Sequence, residues 1–170
     1  MDRVIERIVA LDREISRDGL APEVEIAVKR HIIDAVGCAL AGYHEDVAVI
    51  ARAVADNCRS PQPATVLGAG RATSAEMAAF ANGVMIRCLD LNDTYASAAG
   101  VGHPSDYIAA VLAAAEEAGA SGRTVAEGVV SAYEVFCRLT DAPLNADVRV
   151  YTYTGGQWDY SDSPTLTTSL

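Results

Sequence analysis

The sequence predicts an all-α fold followed by an irregular C-terminal tail. Three observations predict it. Apolar residues recur at helical spacing through the first 140 or so residues. Paired Ser/Thr and Glu residues three apart mark helix starts. The chain is 51% hydrophobic but only 6% aromatic, with alanine supplying much of the apolar content. That composition favours closely packed helices over a β-sandwich. At 170 residues the chain is long enough for one domain that buries about 70% of its unfolded surface.

The elements follow in order. Val4, Ile8, Leu11 and Ile15 define a first amphipathic helix that ends near Gly19. Pro22 suits the first turn of a second helix, which carries Ile26, Ile33, Val36 and Leu40 on or near one face and stops around Gly42. Gly37 within it suggests a close helix contact, or simply a tolerated glycine. A third helix spans about Asp46 to Asn57, with Val47, Ile50 and Val54 facing inward. SPQPATVLGAG breaks the helical pattern and leaves room for a short extended piece at Ala64–Leu67. Thr73 and Glu76 are spaced as a capping box, and so are Thr124 and Glu127. The first opens a helix through MAAFANGVMI; the second opens one that ends near Leu139. Between them a helix restarts after Pro104 and reaches about Glu117. Residues 1–140 thus form the helical domain. The tail, 141–170, is poor in alanine and has no helix of useful length. VRVYTYT alternates like a strand and GG suits a turn, but no partner strand is evident.

The balance of 13 basic against 23 acidic residues, formally −10, gives the chain no general attraction for nucleic acid or anionic membrane. Lys29 is the only lysine. A site for an anionic substrate must be built locally, from arginine, helix N-termini and hydroxyls. Cys38, Cys58, Cys88 and Cys137 form no CxxC pair and read as reduced thiols of a cytoplasmic protein. MDRVIERIVALDREIS mixes charges through its apolar positions, unlike a signal peptide. The apolar run YIAAVLAAA is too short to span a bilayer.

One stretch interrupts the alanine-rich pattern. From Arg87 to Tyr107 the chain reads RCLDLNDTYASAAGVGHPSDY. It is either a solvated loop between helices or one wall of an active site. Asp90 and Thr94 are four apart, so a helical turn would place both on one face. Gly100 and Gly102 permit positive φ. His103 precedes a helix start at Pro104-Ser105, where the helix dipole disfavours imidazolium and the free N–H groups suit a carboxylate. A neutral histidine with a positioned carboxylate is a suitable acid–base pair. Either residue also has a plain structural reading: Asp90 as a helix cap, His103 as an inert loop residue.

HIIDAVGCALAGY, ATVLGAG followed by SAEMAAFANGVMIRCLDLNDT, GHPSDYIAAVLAAAEEAGASG and SAYEVFCRL, in this order and spacing, together resemble the MmgE/PrpD family over roughly residues 1–140. That family includes 2-methylcitrate dehydratase and cis-aconitate decarboxylase. The resemblance implies a helical domain assembled from both ends of a longer chain, an inserted α/β lid, homodimers and no metal or other cofactor. Only the first helical portion is present here. The resemblance therefore describes an N-terminal fragment or a truncated member, without the lid domain.

The family's site motif reads approximately Asp-Phe-Asp-Asp-Thr, a short loop, then His-Pro-Ser. Carried over, it assigns Asp90 and His103 to catalysis and Thr94, Asp93 and Ser105 to substrate binding. Asn92 stands where a second aspartate is usual, and the ASAAGVG loop is longer than usual. The implied activity is a cofactor-independent lyase acting on a small di- or tricarboxylate, foremost dehydration of 2-methylcitrate in propionate metabolism. Decarboxylation or epimerisation of a related acid is the alternative within the family. A non-catalytic helical fragment that self-associates is the alternative outside enzymes. His31, His44 and His103 are scattered without metal-ligand spacing, and the Gly68/Gly70 loop does not match GxGxxG. Tyr133 and Phe136 at helical spacing read as core.

Overall fold

Alanine sets the distance between the helices. In the computed structural model, which describes residues 3–97, 100–141, 152–154 and 157–159, six α-helices carry the fold. They are α1 (Arg3–Asp18), α2 (Pro22–Ala41), α3 (Asp46–Ala55), α4 (Ala75–Arg87), α5 (Ile108–Glu117) and α6 (Gly122–Asp141). Helix α4 is central and packs against α2, α3 and α5, while α1 lies on α6. Ala35 and Ala39 of α2, Ala48 and Ala55 of α3, and Ala78 and Ala81 of α4 are fully buried. Their short side chains let helix backbones approach closely, and Met85, Ile86, Ile108 and Val129 fill the remaining space.

This packing overturns one sequence expectation. Val47, Ile50 and Val54 do not face inward on α3. They are exposed, Ile50 to 63%, and Ile33 on α2 is 71% exposed beside Ile26 and Leu40. The face that enters the core is the alanine face, because only that face allows the close approach to α4. The bulkier aliphatic stripe is turned outward.

Most helix ends agree with the sequence reading. Gly19 closes α1 in the left-handed region at φ +74°. The expected caps do shift. Thr73 is not the cap of α4. It lies in a strand, and its hydroxyl donates to the carbonyl of Ala55 at 2.7 Å, closing the end of α3. Ser74 takes the capping position, and its hydroxyl bonds Glu76. Helix α6 starts one turn early: Ser121 Oγ accepts from the N–H of Thr124 at 3.2 Å, and Glu127 pairs with Arg123. Among the described residues Gly37 has no close contact; a Cβ there would meet nothing within 4 Å.

Short hairpins fill the connections. β1 (Ala64–Val66) pairs antiparallel with β2 (Arg71–Thr73) around Gly68 and Gly70, both at positive φ. Asn82 of α4 fastens this hairpin by accepting from the Leu67 N–H and donating to the Thr65 carbonyl, each at 2.9 Å. β3 (Tyr95–Ala96) pairs with β4 (Val101–Gly102). In the tail, β5 (Thr152–Thr154) finds the partner strand that was not evident in sequence: β6 (Gln157–Asp159), antiparallel. The rest of the irregular tail lies outside the described residues. Among the described residues no helix is long and apolar enough to cross a membrane.

Candidate active site

Helix α4 delivers its last residue, Arg87, to the polar segment and then stops. Asp90 follows at φ +53°, a left-handed conformation that aspartate tolerates better than most side chains. The helical turn expected from Asp90 to Thr94 is therefore absent, and the two do not share a helix face. Gly100 and Gly102 are not at positive φ either. Gly102 is needed for a different reason: a Cβ there would come within 2.5 Å of the Phe136 ring.

The segment folds back so that His103 lies beside Arg87 and Asp90. His103 Nδ1 is 2.7 Å from the carbonyl oxygen of Asp93, and Nε2 is 3.0 Å from Nη2 of Arg87. A carbonyl only accepts and a guanidinium only donates. Nδ1 therefore carries the proton and Nε2 presents its lone pair. Arg87 Nη1 donates to Asp90 Oδ1 at 2.5 Å, and the same oxygen is 3.9 Å from His103 Nε2. His103 is 18% exposed, Arg87 39% and Asp90 72%, so the triad opens to solvent on the Asp90 side.

Asp93 organises the inner side. Oδ1 accepts from the N–H of Ser105 at 3.0 Å, Oδ2 accepts from the hydroxyl of Tyr133 at 2.8 Å, and His31 lies 3.7 Å from Oδ2. Burial and the bond to Asp93 raise the Tyr133 phenol far above its ordinary range, so it stays a donor. His103 precedes a short 3₁₀ turn, Pro104–Tyr107, that leads into α5. Donors at this turn are already used: Ser105 N–H by Asp93, and Asp106 N–H by the His103 carbonyl at 3.1 Å. They do not wait for a substrate carboxylate, as the sequence suggested. The Ser105 side chain is buried and accepts from Asn92 Nδ2 at 2.9 Å.

Asn92 donates equally to Asp106 Oδ1 at 2.9 Å, while its own buried Oδ1 has no partner among the described residues. An amide suits this position, because an aspartate would set one carboxylate against another. Partial desolvation raises the Asp106 carboxyl above its ordinary range although the residue is exposed overall, against the lowering effect of Asn92, Arg87 and His103.

Four of the five sequence candidates thus come together: Asp90, Asp93, His103 and Ser105. Thr94 is exposed and makes no side-chain hydrogen bond among the described residues. Sequence reasoning did not single out Arg87 or His31 for this site, and it read Tyr133 as core, which its packing against the main cluster bears out while its hydroxyl reaches Asp93. Arg87 had a signal, since it stands three residues before Asp90 at the end of a helix. Tyr133 and His31 had none, being brought in from α6 and α2. A separate apolar groove of about 780 Å³ runs along α1 and α6, with Ile8, Leu11, Val101, Tyr107, Val135 and Phe136 in its walls; neither Asp90 nor His103 lines it. Among the described residues no group of three His, Cys, Asp or Glu is arranged to hold a metal ion, and the four cysteines are free.

No solved structure matches the chain. The 2-methylcitrate dehydratase-like protein oryR of Aspergillus oryzae is 35% identical over 154 residues, which cover 83% of this chain and 29% of that relative. The chain therefore spans less than a third of that relative's length. The model of the MmgE/PrpD N-terminal domain matches residues 7–158, a span that holds α2 to α6 and every residue of the Arg87–Tyr107 segment. The chain belongs to the MmgE/PrpD family.

Proposed function

We propose that this chain carries the proton-transfer residues of a cofactor-independent lyase that removes water from 2-methylcitrate or a closely related di- or tricarboxylate. The observation that carries the reading is the fixing of His103 at both ring nitrogens beside the open Asp90 carboxylate. Dehydration requires a base to take a proton from carbon beside a carboxylate, and an acid to protonate the departing hydroxyl. The Asp93 carbonyl keeps the proton on Nδ1, so Nε2 is the nitrogen available as base. Asp90 is the neighbouring group with access to solvent, and the departing hydroxyl takes its proton from that solvent side. Asp93 and Ser105 are proposed to position the substrate-facing wall, because their polar atoms are already held by Tyr133, Asn92 and the turn at Pro104. Thr94, open to solvent, is proposed as a direct substrate contact.

The 170 residues alone are expected to be inactive. Asp90 and Thr94 are open to water, which weakens each electrostatic contribution that a closed site would strengthen. The test incubates purified chain with 2-methylcitrate and follows absorbance of the conjugated product. No turnover is expected. Turnover lost in His103→Ala would show that the site works without further enclosure; turnover that survives it would remove His103 from the chemistry. In a longer polypeptide carrying the same residues, His103→Ala should lower kcat by about 10²–10⁴. The outward aliphatic stripe of α2 and α3 supports self-association of this chain, checked by sedimentation across micromolar concentrations.

A further inference from the structure

We propose that Arg87 is both a carboxylate receptor and a latch on the base, and that substrate binding opens the latch. This rests on the lyase reading above. In the free chain the guanidinium is divided between two groups: Nη1 on Asp90 and Nη2 on His103 Nε2. The lone pair that must accept the substrate proton is therefore occupied by a donor. Arg87 is accessible to a solute. It sits at the end of α4, is 39% exposed, and its Asp90 partner is 72% exposed.

The planar fork of arginine matches a carboxylate bidentately, and such charge-assisted pairs are stronger than bonds to a neutral acceptor. An exposed ion pair such as Arg87–Asp90 contributes little, so a substrate carboxylate can displace Asp90 from the fork at small cost. Capture of both guanidinium edges withdraws the donor from Nε2 and frees the lone pair at the moment the substrate arrives. Nδ1 stays on the Asp93 carbonyl throughout, so the ring is released as a base without losing its orientation. The chain is formally −10 and has one lysine, so a polycarboxylate has no general reason to settle here. A guanidinium already placed against His103 provides a local reason. Arg87 is thus a positioning residue that also selects for an acid carrying a free carboxylate.

The experiment labels the histidines of the full 170-residue chain with ¹⁵N and titrates it with citrate, followed by long-range ¹H–¹⁵N spectra. Citrate is expected to shift the His103 Nε2 resonance while leaving Nδ1 in place. Arg87→Gln is expected to show the shifted Nε2 position without citrate, and to weaken citrate binding about 10–100-fold. Arg87→Lys keeps the charge without the fork and should fall between the two. The amide spectrum of each variant checks that the fold is retained. The proposal is overturned if citrate leaves Nε2 unmoved into the tens-of-millimolar range, or if Arg87→Gln binds citrate as tightly as the parent chain. The lyase reading fails by a separate result, turnover that survives His103→Ala, and that result would leave an observed Nε2 shift standing.

Discussion

Helix α4 and the segment that leaves it meet at Arg87 and are held by opposite means. Up to Ile86 the buried side chains are mostly apolar, with Ala78, Ala81, Met85 and Ile86 fully enclosed. Beyond Arg87 the buried and half-buried side chains are largely polar, Pro104 apart, and they are tied to named partners: Asn92 to Ser105 and Asp106, Asp93 to Ser105 and Tyr133, His103 to Asp93 and Arg87. The first region depends on volume and is sensitive to a missing methylene. The second depends on donor–acceptor matching and is sensitive to a change of charge at constant volume.

Substitutions can break this contrast. The largest effect is expected for Met85→Ala, which leaves a void at the centre of the packing of α4 and should cost about 2–5 kcal/mol in denaturant unfolding. A loss below about 1 kcal/mol would show that the alanine-lined core collapses around the gap. Asn92→Asp changes almost no volume, yet places a carboxylate against Asp106. It should cost about 1–3 kcal/mol near neutral pH. The penalty should shrink as the pH falls and the pair takes up a proton. A pH-independent loss would point to packing instead.

The smallest effect has the opposite sign. Partial desolvation of Asp106, a residue still exposed at the surface, raises its carboxyl above the unfolded value of about 3.9. Its contribution to stability is therefore full below that value and is lost as the pH rises through the folded value. Asp106→Asn, which resembles the protonated form, should raise the melting temperature slightly at neutral pH. The gain should vanish in acid. Melting curves at a series of pH values give the comparison, and a variant less stable at neutral pH would contradict it.

How far each region was legible in the sequence follows the same division. Helical periodicity and glycine stops place α1 to α6 within a few residues, because local hydrogen bonding and Gly19 or Pro22 act over one turn. The inward face of α3 was misread because hydrophobicity ranks Val and Ile above Ala, whereas close packing against α4 rewards the smaller side chain. In the polar segment the residues that matter were visible as types, but their partners were not. Tyr133 lies 40 residues from Asp93, and His31 comes from α2. Nor does sequence show that Ser105 N–H and both Asp93 oxygens are already engaged, which leaves Asp90 and Arg87 as the open groups.

His103 presents its lone pair at Nε2, between the Asp93 carbonyl on Nδ1 and the Arg87 guanidinium. Long-range ¹H–¹⁵N spectra of the ¹⁵N-histidine chain, recorded where the ring is neutral, report the tautomer directly. The predicted result is a proton on Nδ1 and none on Nε2, as the 2.7 Å contact to the Asp93 carbonyl and the 3.0 Å contact to Arg87 require. A His103 ring protonated at Nε2, or one exchanging between both tautomers, would contradict it.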